Sequence, residues 1–346
     1  MDRSRPMAVK YWTRAGLLWT YRCPARCACC YVCASPGAGG DMAVDDALAW
    51  WEGLLLASPH GCRIHVGGGE PFLRYDELVD LLRRARAEFG ENSAATPPEQ
   101  PFVTEAVETN GYWADDAASV RERLVELDRL GMGRLNISAD PFHQQFVPPR
   151  RVRLLARLAE EVLGAERVRV RWRDWLEEGQ DVSRLTETAR RRLFAIYVRQ
   201  GRERLNGRAA VELAGLLPLR PWQDYADNPC AGPLLRGRHV HIDHAGRLCP
   251  GTCAGIVLGQ ATDGESIGRL WRELSESRTR DDRRTLLDIL AVCGPAALAA
   301  KAVRHGFSPD PAGYAGKCHL CWQARRWLFE NGYFADKLGP EMLYNP

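Results

Sequence analysis

The chain has 346 residues, 45% of them hydrophobic and 26% charged, which allows one large globular domain and a smaller appendage. Its 47 basic and 44 acidic residues leave a net charge of +3, too balanced to argue for nucleic acid, and no apolar run is long enough to span a bilayer. Twelve cysteines at short spacings, behind residues 1–6 with no signal-peptide core, point to metal rather than disulfides and to the reducing cytoplasm.

In chain order, the apolar run 17–21 leads into Cys23-x3-Cys27-x2-Cys30. Three thiolates at this spacing can wrap one tight loop around a cubane iron–sulfur cluster. Such a cluster has four irons, so three local ligands leave one iron open, as a catalytic metal centre requires. Two other readings compete. Cys27-x2-Cys30-x2-Cys33 resembles the start of a ferredoxin run, but Gly37 stands where the fourth cysteine belongs. A zinc site would use two CxxC pairs or added histidines, and no histidine lies nearby.

After a glycine-rich break at 35–40, Leu48, Trp51, Leu54 and Leu55 predict a helix over 44–57. A strand at 63–66 runs into Gly67-Gly68-Gly69-Glu70-Pro71. Asp76 can cap the next helix, with Leu78, Leu81, Leu82, Ala85 and Phe89 on its apolar face. A surface loop over 92–101 precedes a strand at 102–108, which ends at Thr109-Asn110-Gly111. Then follow a helix at 118–130, a strand at 134–138, a helix at 151–163, a strand at 167–172, a helix at 183–199 and a strand at 209–214. The arginines 150, 151 and 153 read as a solvated helix face. Alternating strands and helices imply six parallel βα units, whose sites gather at the C-terminal strand ends.

Composition shifts near Asn228-Pro229-Cys230, giving two expected domains, 1–222 and 223–346. The second contains a hairpin-like segment from His239 to Gly246 and Cys230, Cys249, Cys253, Cys293, Cys318 and Cys321. Elsewhere, Gly68 and Gly69 would let backbone approach a ligand. Ser138 and Asp140 suit hydrogen bonding to hydroxyls or a simple helix cap. Asn110 follows the third strand and Arg171 ends the fifth, although Arg171 also belongs to an alternating arginine row. His65 shares a strand face with Gly67 and points into the barrel or into the core; His143 meets substrate or its own loop.

These motifs together resemble the radical SAM (S-adenosylmethionine) superfamily, defined by CxxxCxxC in the loop after the first barrel strand. One departure is Cys29, where the family commonly has an aromatic residue. The resemblance implies an α/β fold, an open partial (β/α)6 TIM-like barrel with a small C-terminal iron–sulfur module. It implies a [4Fe–4S] cluster on Cys23, Cys27 and Cys30, with SAM chelated to the open iron. Gly68-Gly69-Glu70-Pro71 matches the GGEP motif that meets the SAM amino group. Ser138 and Asp140 stand where family members often contact ribose, while Asn110 and Arg171 are further candidate SAM contacts, Arg171 to its carboxylate.

The C-terminal module resembles the SPASM/twitch extensions, which bind auxiliary clusters. Here Cys249 comes early and Cys253 late for that pattern, and there are too few cysteines for a full SPASM domain. One auxiliary [4Fe–4S] cluster on Cys230, Cys253, Cys318 and Cys321 is expected, with Cys249 the alternate ligand and a zinc ribbon the competing reading. The implied function is reductive SAM cleavage to a 5′-deoxyadenosyl radical, which abstracts hydrogen from a small molecule or peptide. A flavodoxin- or ferredoxin-type donor would supply the electron. His65 and His143 are candidate catalytic residues. The alternatives are a maturase of ribosomal peptides and an iron–sulfur or zinc protein without SAM chemistry. Glu70 and its glycines argue against the last, since an electron carrier has no need of them.

Overall fold

The computed structural model describes residues 8–90, 102–251, 253–275 and 285–346; the expected loop over 92–101 lies outside them. The first strand, β1 (Arg14–Thr20), is buried along nearly its whole length, as a strand covered on both faces must be. It is followed by α1 (Val44–Ala57), β2 (Arg63–Gly68), α2 (Tyr75–Phe89), β3 (Ala106–Thr109) and α3 (Ala117–Arg129). Then come β4 (Leu135–Ile137), α4 (Pro149–Leu163), β5 (Val168–Val170), α5 (Arg173–Glu178), α6 (Glu187–Val198) and α7 (Arg208–Glu212). The remainder is β6 (His239–Asp243), β7 (Arg247–Pro250), β8 (Gly259–Gln260), α8 (Gly264–Ser275), α9 (Leu286–Asp288), α10 (Pro295–Arg304) and α11 (Lys317–Glu330).

Among the described residues, eight strands form one open sheet in the order β5-β4-β3-β2-β1-β6-β7-β8. From β5 to β6 every pairing is parallel; β7 and β8 extend the sheet antiparallel. This is the α/β, partial TIM-like barrel, and six parallel strands are present. The sixth is not where the sequence pattern suggested. Residues 209–214 fold as α7 and the turn after it, with Ala209, Ala210 and Leu213 buried at helical spacing. The sixth parallel strand is β6, which joins the sheet on the far side of β1. Its pairing seats the β6–β7 hairpin directly beside the first strand.

Local boundaries differ where tertiary contacts override pattern. Asp76 is not the cap of α2 but lies inside its first turn. The chain first makes a short turn of 3₁₀-helix, Pro71–Arg74, capped by the Glu70 side chain. The strand expected over 102–108 is confined to β3, and β5 is shorter than its pattern because Arg173 already starts α5. The main core gathers the outer face of the sheet and its helices around Trp19, Trp51, Leu54 and Ile64. A second core packs Leu18, Tyr21 and the cysteine loop against Phe142, Trp172, Trp175 and Phe194.

Candidate active site

The loop between β1 and α1 brings Cys23, Cys27 and Cys30 to the wall of one cavity, with Gly68 and Gly69 at the end of β2 opposite. Several donors fix the loop. The Cys30 N–H bonds the Cys27 carbonyl at 3.1 Å. Arg208, on α7, donates to the carbonyl oxygens of Cys27, Cys33 and Ala34 at 3.1, 2.9 and 3.1 Å. The Asn110 side-chain amide donates to Cys23 Sγ at 3.4 Å. Burial pushes the Cys23 thiol well above its ordinary pKa and raises that of Cys30. Three thiols gathered on one cavity wall suit a cationic metal centre that takes them as thiolates.

Gly69 lets β2 pass under this loop. Its N–H donates to the Thr20 carbonyl at 2.6 Å, and a Cβ there would lie 2.1 Å from the Arg22 carbonyl oxygen. Glu70 is fully buried and its carboxylate is taken up by donors of neighbouring residues. It accepts from the Phe72 N–H at 3.2 Å, the Thr109 hydroxyl at 2.8 Å and the Asn110 N–H at 2.7 Å. Burial raises its pKa to about 7 against the pull of these donors. Glu70 thus ties the end of β2 to the end of β3, where Asn110 turns its amide to Cys23.

Ser138 and Arg171 line the cavity wall, as does His143. Asp140 is wholly buried and spends its carboxylate on His143, accepting its N–H at 2.9 Å and facing its Nδ1 at 2.8 Å. Burial opposes ionisation of Asp140, but His143 and then Arg171 hold its pKa down at about 2. Arg171 also pairs with Glu203. Burial would lower the His143 pKa, yet Asp140 and then Cys27 hold it well above the ordinary histidine value. Cys29 lines the same cavity, with its thiol within 4.8 Å of ligand atoms of Asp140 and His143.

The cavity continues into the barrel lumen as a second chamber of about 410 Å³. Its wall includes His65, Glu108, Asn136, Arg169, Arg171 and Arg202. His65 therefore points inward, and it meets two histidines that the sequence pattern did not single out, His239 and His241 of β6. Burial lowers the pKa of His65, His239 and His241 below the ordinary histidine value. The alternation His239-Val240-His241 was the available signal, since residues two apart on a strand share a face.

A separate cavity in the C-terminal region is lined by Cys230, Cys253, Cys318 and Cys321. Cys318 and Cys321 sit on the first turn of α11, and Cys230 precedes a short helical turn. Cys249 is elsewhere: it lies within β7, opposite His241, and is buried. Arg325 closes the cavity from behind, donating to the Ala254 carbonyl at 2.9 Å and to Asn206 Oδ1 at 2.7 Å. Burial pushes Cys230 up to about 12 and Cys253 up to about 11. Four facing thiols make a complete donor set for one cubane. Neither Arg208 nor Arg325 was legible as a support, because each acts on loops remote in sequence.

Residues 17–164 match the radical SAM superfamily. No curated protein matches the chain. Among solved structures it is similar to BtrN in complex with AdoMet and 2-DOIA, with 16% identity, a TM-score of 0.42 and coverage of 82% of this chain and 94% of that one. It is also similar to native anSMEcpe with bound AdoMet and Cp18Cys peptide, with 11% identity, a TM-score of 0.39 and coverage of 92% and 96%.

Proposed function

Because the chain carries a radical SAM domain over residues 17–164, we propose that it reductively cleaves SAM and uses the radical on a small anionic substrate held in the barrel lumen. The convergence of Cys23, Cys27 and Cys30 on one cavity wall supports this most directly. When bound, the [4Fe–4S] cluster and SAM supply a 5′-deoxyadenosyl radical that abstracts a hydrogen atom. The chain's own residues hold and shield that chemistry. Cys23, Cys27 and Cys30 hold the cluster, while Arg208 and Asn110 fix the loop that carries them. Ser138 and Arg171 line the SAM cavity and are the side chains available to its polar groups.

The lumen supports a substrate of modest size, since about 410 Å³ suits a single small molecule or one side chain. Arg169, Arg171, Arg202 and Arg204 outnumber Glu108 and Glu203 on its wall, which favours a carboxylate or phosphate group. In the C-terminal cavity, Cys230, Cys253, Cys318 and Cys321 would hold an auxiliary [4Fe–4S] cluster with no open iron, a shell suited to passing electrons rather than binding substrate. A flavodoxin- or ferredoxin-type protein would supply the reducing electron. The test is spectroscopic: SAM added to the anaerobically reconstituted, reduced protein should change the electron paramagnetic resonance signal of the loop cluster. An unchanged spectrum would overturn the assignment of SAM to this site.

A further inference from the structure

We infer that His65, His239 and His241 form a binding site for a divalent transition metal at the floor of the barrel lumen, separate from both cysteine cavities. The site is built by three adjacent strands. Gly16 of β1 pairs with His65 of β2 on one side and with His241 of β6 on the other. His239 follows two positions away on the same face of β6. The ring centroids lie 4.6 to 5.5 Å apart, and one ligand nitrogen from each ring falls within 4.8 Å of the others.

Gly16 is what makes the cluster possible. A Cβ on it would lie 2.3 Å from the His241 ring and 2.5 Å from His65 Nε2. A side chain at this position would occupy the space between the imidazoles. The hydrogen bonding is also that of a ligand set. His241 gives Nδ1 to the Gly251 carbonyl at 2.7 Å, which fixes the ring and leaves Nε2 free, the arrangement that orients metal-bound histidines. His65 Nδ1 and His239 Nε2 are buried with no hydrogen-bond partner among the described residues. Buried polar nitrogens without partners are costly, and one nitrogen from each ring lies close enough to the others to share a cation.

Three clustered imidazoles suit zinc, iron(II) or a similar ion, and three protein ligands leave a coordination position open. That position faces the lumen, whose wall shares Cys29, Tyr31, Glu108, Ser138 and Arg171 with the cysteine-loop cavity. A metal here would anchor an anionic or carbonyl oxygen of whatever occupies the chamber. This inference does not depend on SAM chemistry, because it concerns metal binding alone.

Zinc is the probe. Cluster-reconstituted full-length protein is incubated with zinc, desalted, and examined by elemental analysis and zinc-edge X-ray absorption, which is blind to the iron. About one zinc per chain should remain, with nitrogen or oxygen neighbours at about 2.0–2.1 Å and no sulfur shell at about 2.3 Å. His239→Gln, at the more accessible ring, should weaken zinc binding by more than the roughly 10–100-fold that losing an outer-shell partner costs, with iron content unchanged. Gly16→Ala, which keeps every ring, should do the same. Should His239→Gln lose its iron as well, the Gly16→Ala result decides. Retention of no zinc, a sulfur shell, or variants that bind zinc like the parent would each overturn the site.

Discussion

Arg208 donates from Nη2 to the Cys33 carbonyl at 2.9 Å, reaching the cysteine loop from a helix far along the chain. The same guanidinium holds the carbonyls of Cys27 and Ala34, and Arg208 is only 1% exposed. A planar fork with several donors suits this task, whereas lysine offers a single ammonium. Arg208→Ala strands three buried carbonyls and should cost about 3–5 kcal/mol. We expect denaturation midpoints to fall and the loop to lose its iron while the C-terminal site keeps its own. Arg208→Lys should not restore the loop iron; full restoration would show that charge alone, not the fork, holds the loop.

Gly69 makes a second prediction. The sequence alone suggests that a side chain at this position would crowd the ligand and leave the cluster intact. The geometry says otherwise, because the added Cβ meets the Arg22 backbone oxygen rather than the cavity. Gly69→Val should therefore displace the cysteine loop and lower its iron content together with SAM affinity. Normal iron with reduced SAM binding would restore the simpler expectation.

Glu70 carries a pH signature. Its pKa rises from about 4.5 to about 7 on folding, chiefly through burial. A raised folded-state value means that its contribution is fully present below about 4.5 and is lost as pH rises through about 7. Denaturation midpoints should fall accordingly between about pH 4.5 and 7, and Glu70→Gln should flatten that slope. Glu70→Ala should cost about 2–4 kcal/mol by leaving the donors of Phe72, Thr109 and Asn110 unmet. An unchanged slope in Glu70→Gln would assign the pH dependence to another group.

The sequence was most readable where one periodicity acted alone. Leu48, Trp51 and Leu55 define α1 at its observed ends because their spacing matches a helix buried on one face. Residues 209–214 were misread because Ala209, Ala210, Val211 and Leu213 make a short apolar run that fits strand or helix equally. The contacts of Arg208 with the cysteine loop decide the matter, and no local pattern records them. The cysteine motif is visible as spacing, yet the burial of Glu70 and Asp140 and the partners that take up their carboxylates come from tertiary packing. Likewise, the histidine cluster needs Gly16, His65 and β6 side by side, which only the pairing of β1 with β6 reveals.

For the C-terminal cavity, removing Cys23, Cys27 and Cys30 together should leave about four irons per chain, the content of one cubane. Adding Cys253→Ala to that triple variant should remove or destabilise the remaining cluster, because Cys253 lines the cavity with Cys230, Cys318 and Cys321. Adding Cys249→Ala should not, since Cys249 lies in β7 away from that wall. The reverse pattern would move the ligand role to Cys249, and zinc in place of iron would overturn the auxiliary cluster.

The most direct measurement counts 5′-deoxyadenosine released when anaerobically reconstituted protein receives SAM and dithionite. The parent should release it. Cys27→Ala, which removes one thiolate from the loop but leaves the C-terminal cavity intact, should release none, while Cys253→Ala should still cleave SAM. Release by Cys27→Ala at the parental rate would contradict the assignment of SAM cleavage to the Cys23, Cys27 and Cys30 loop.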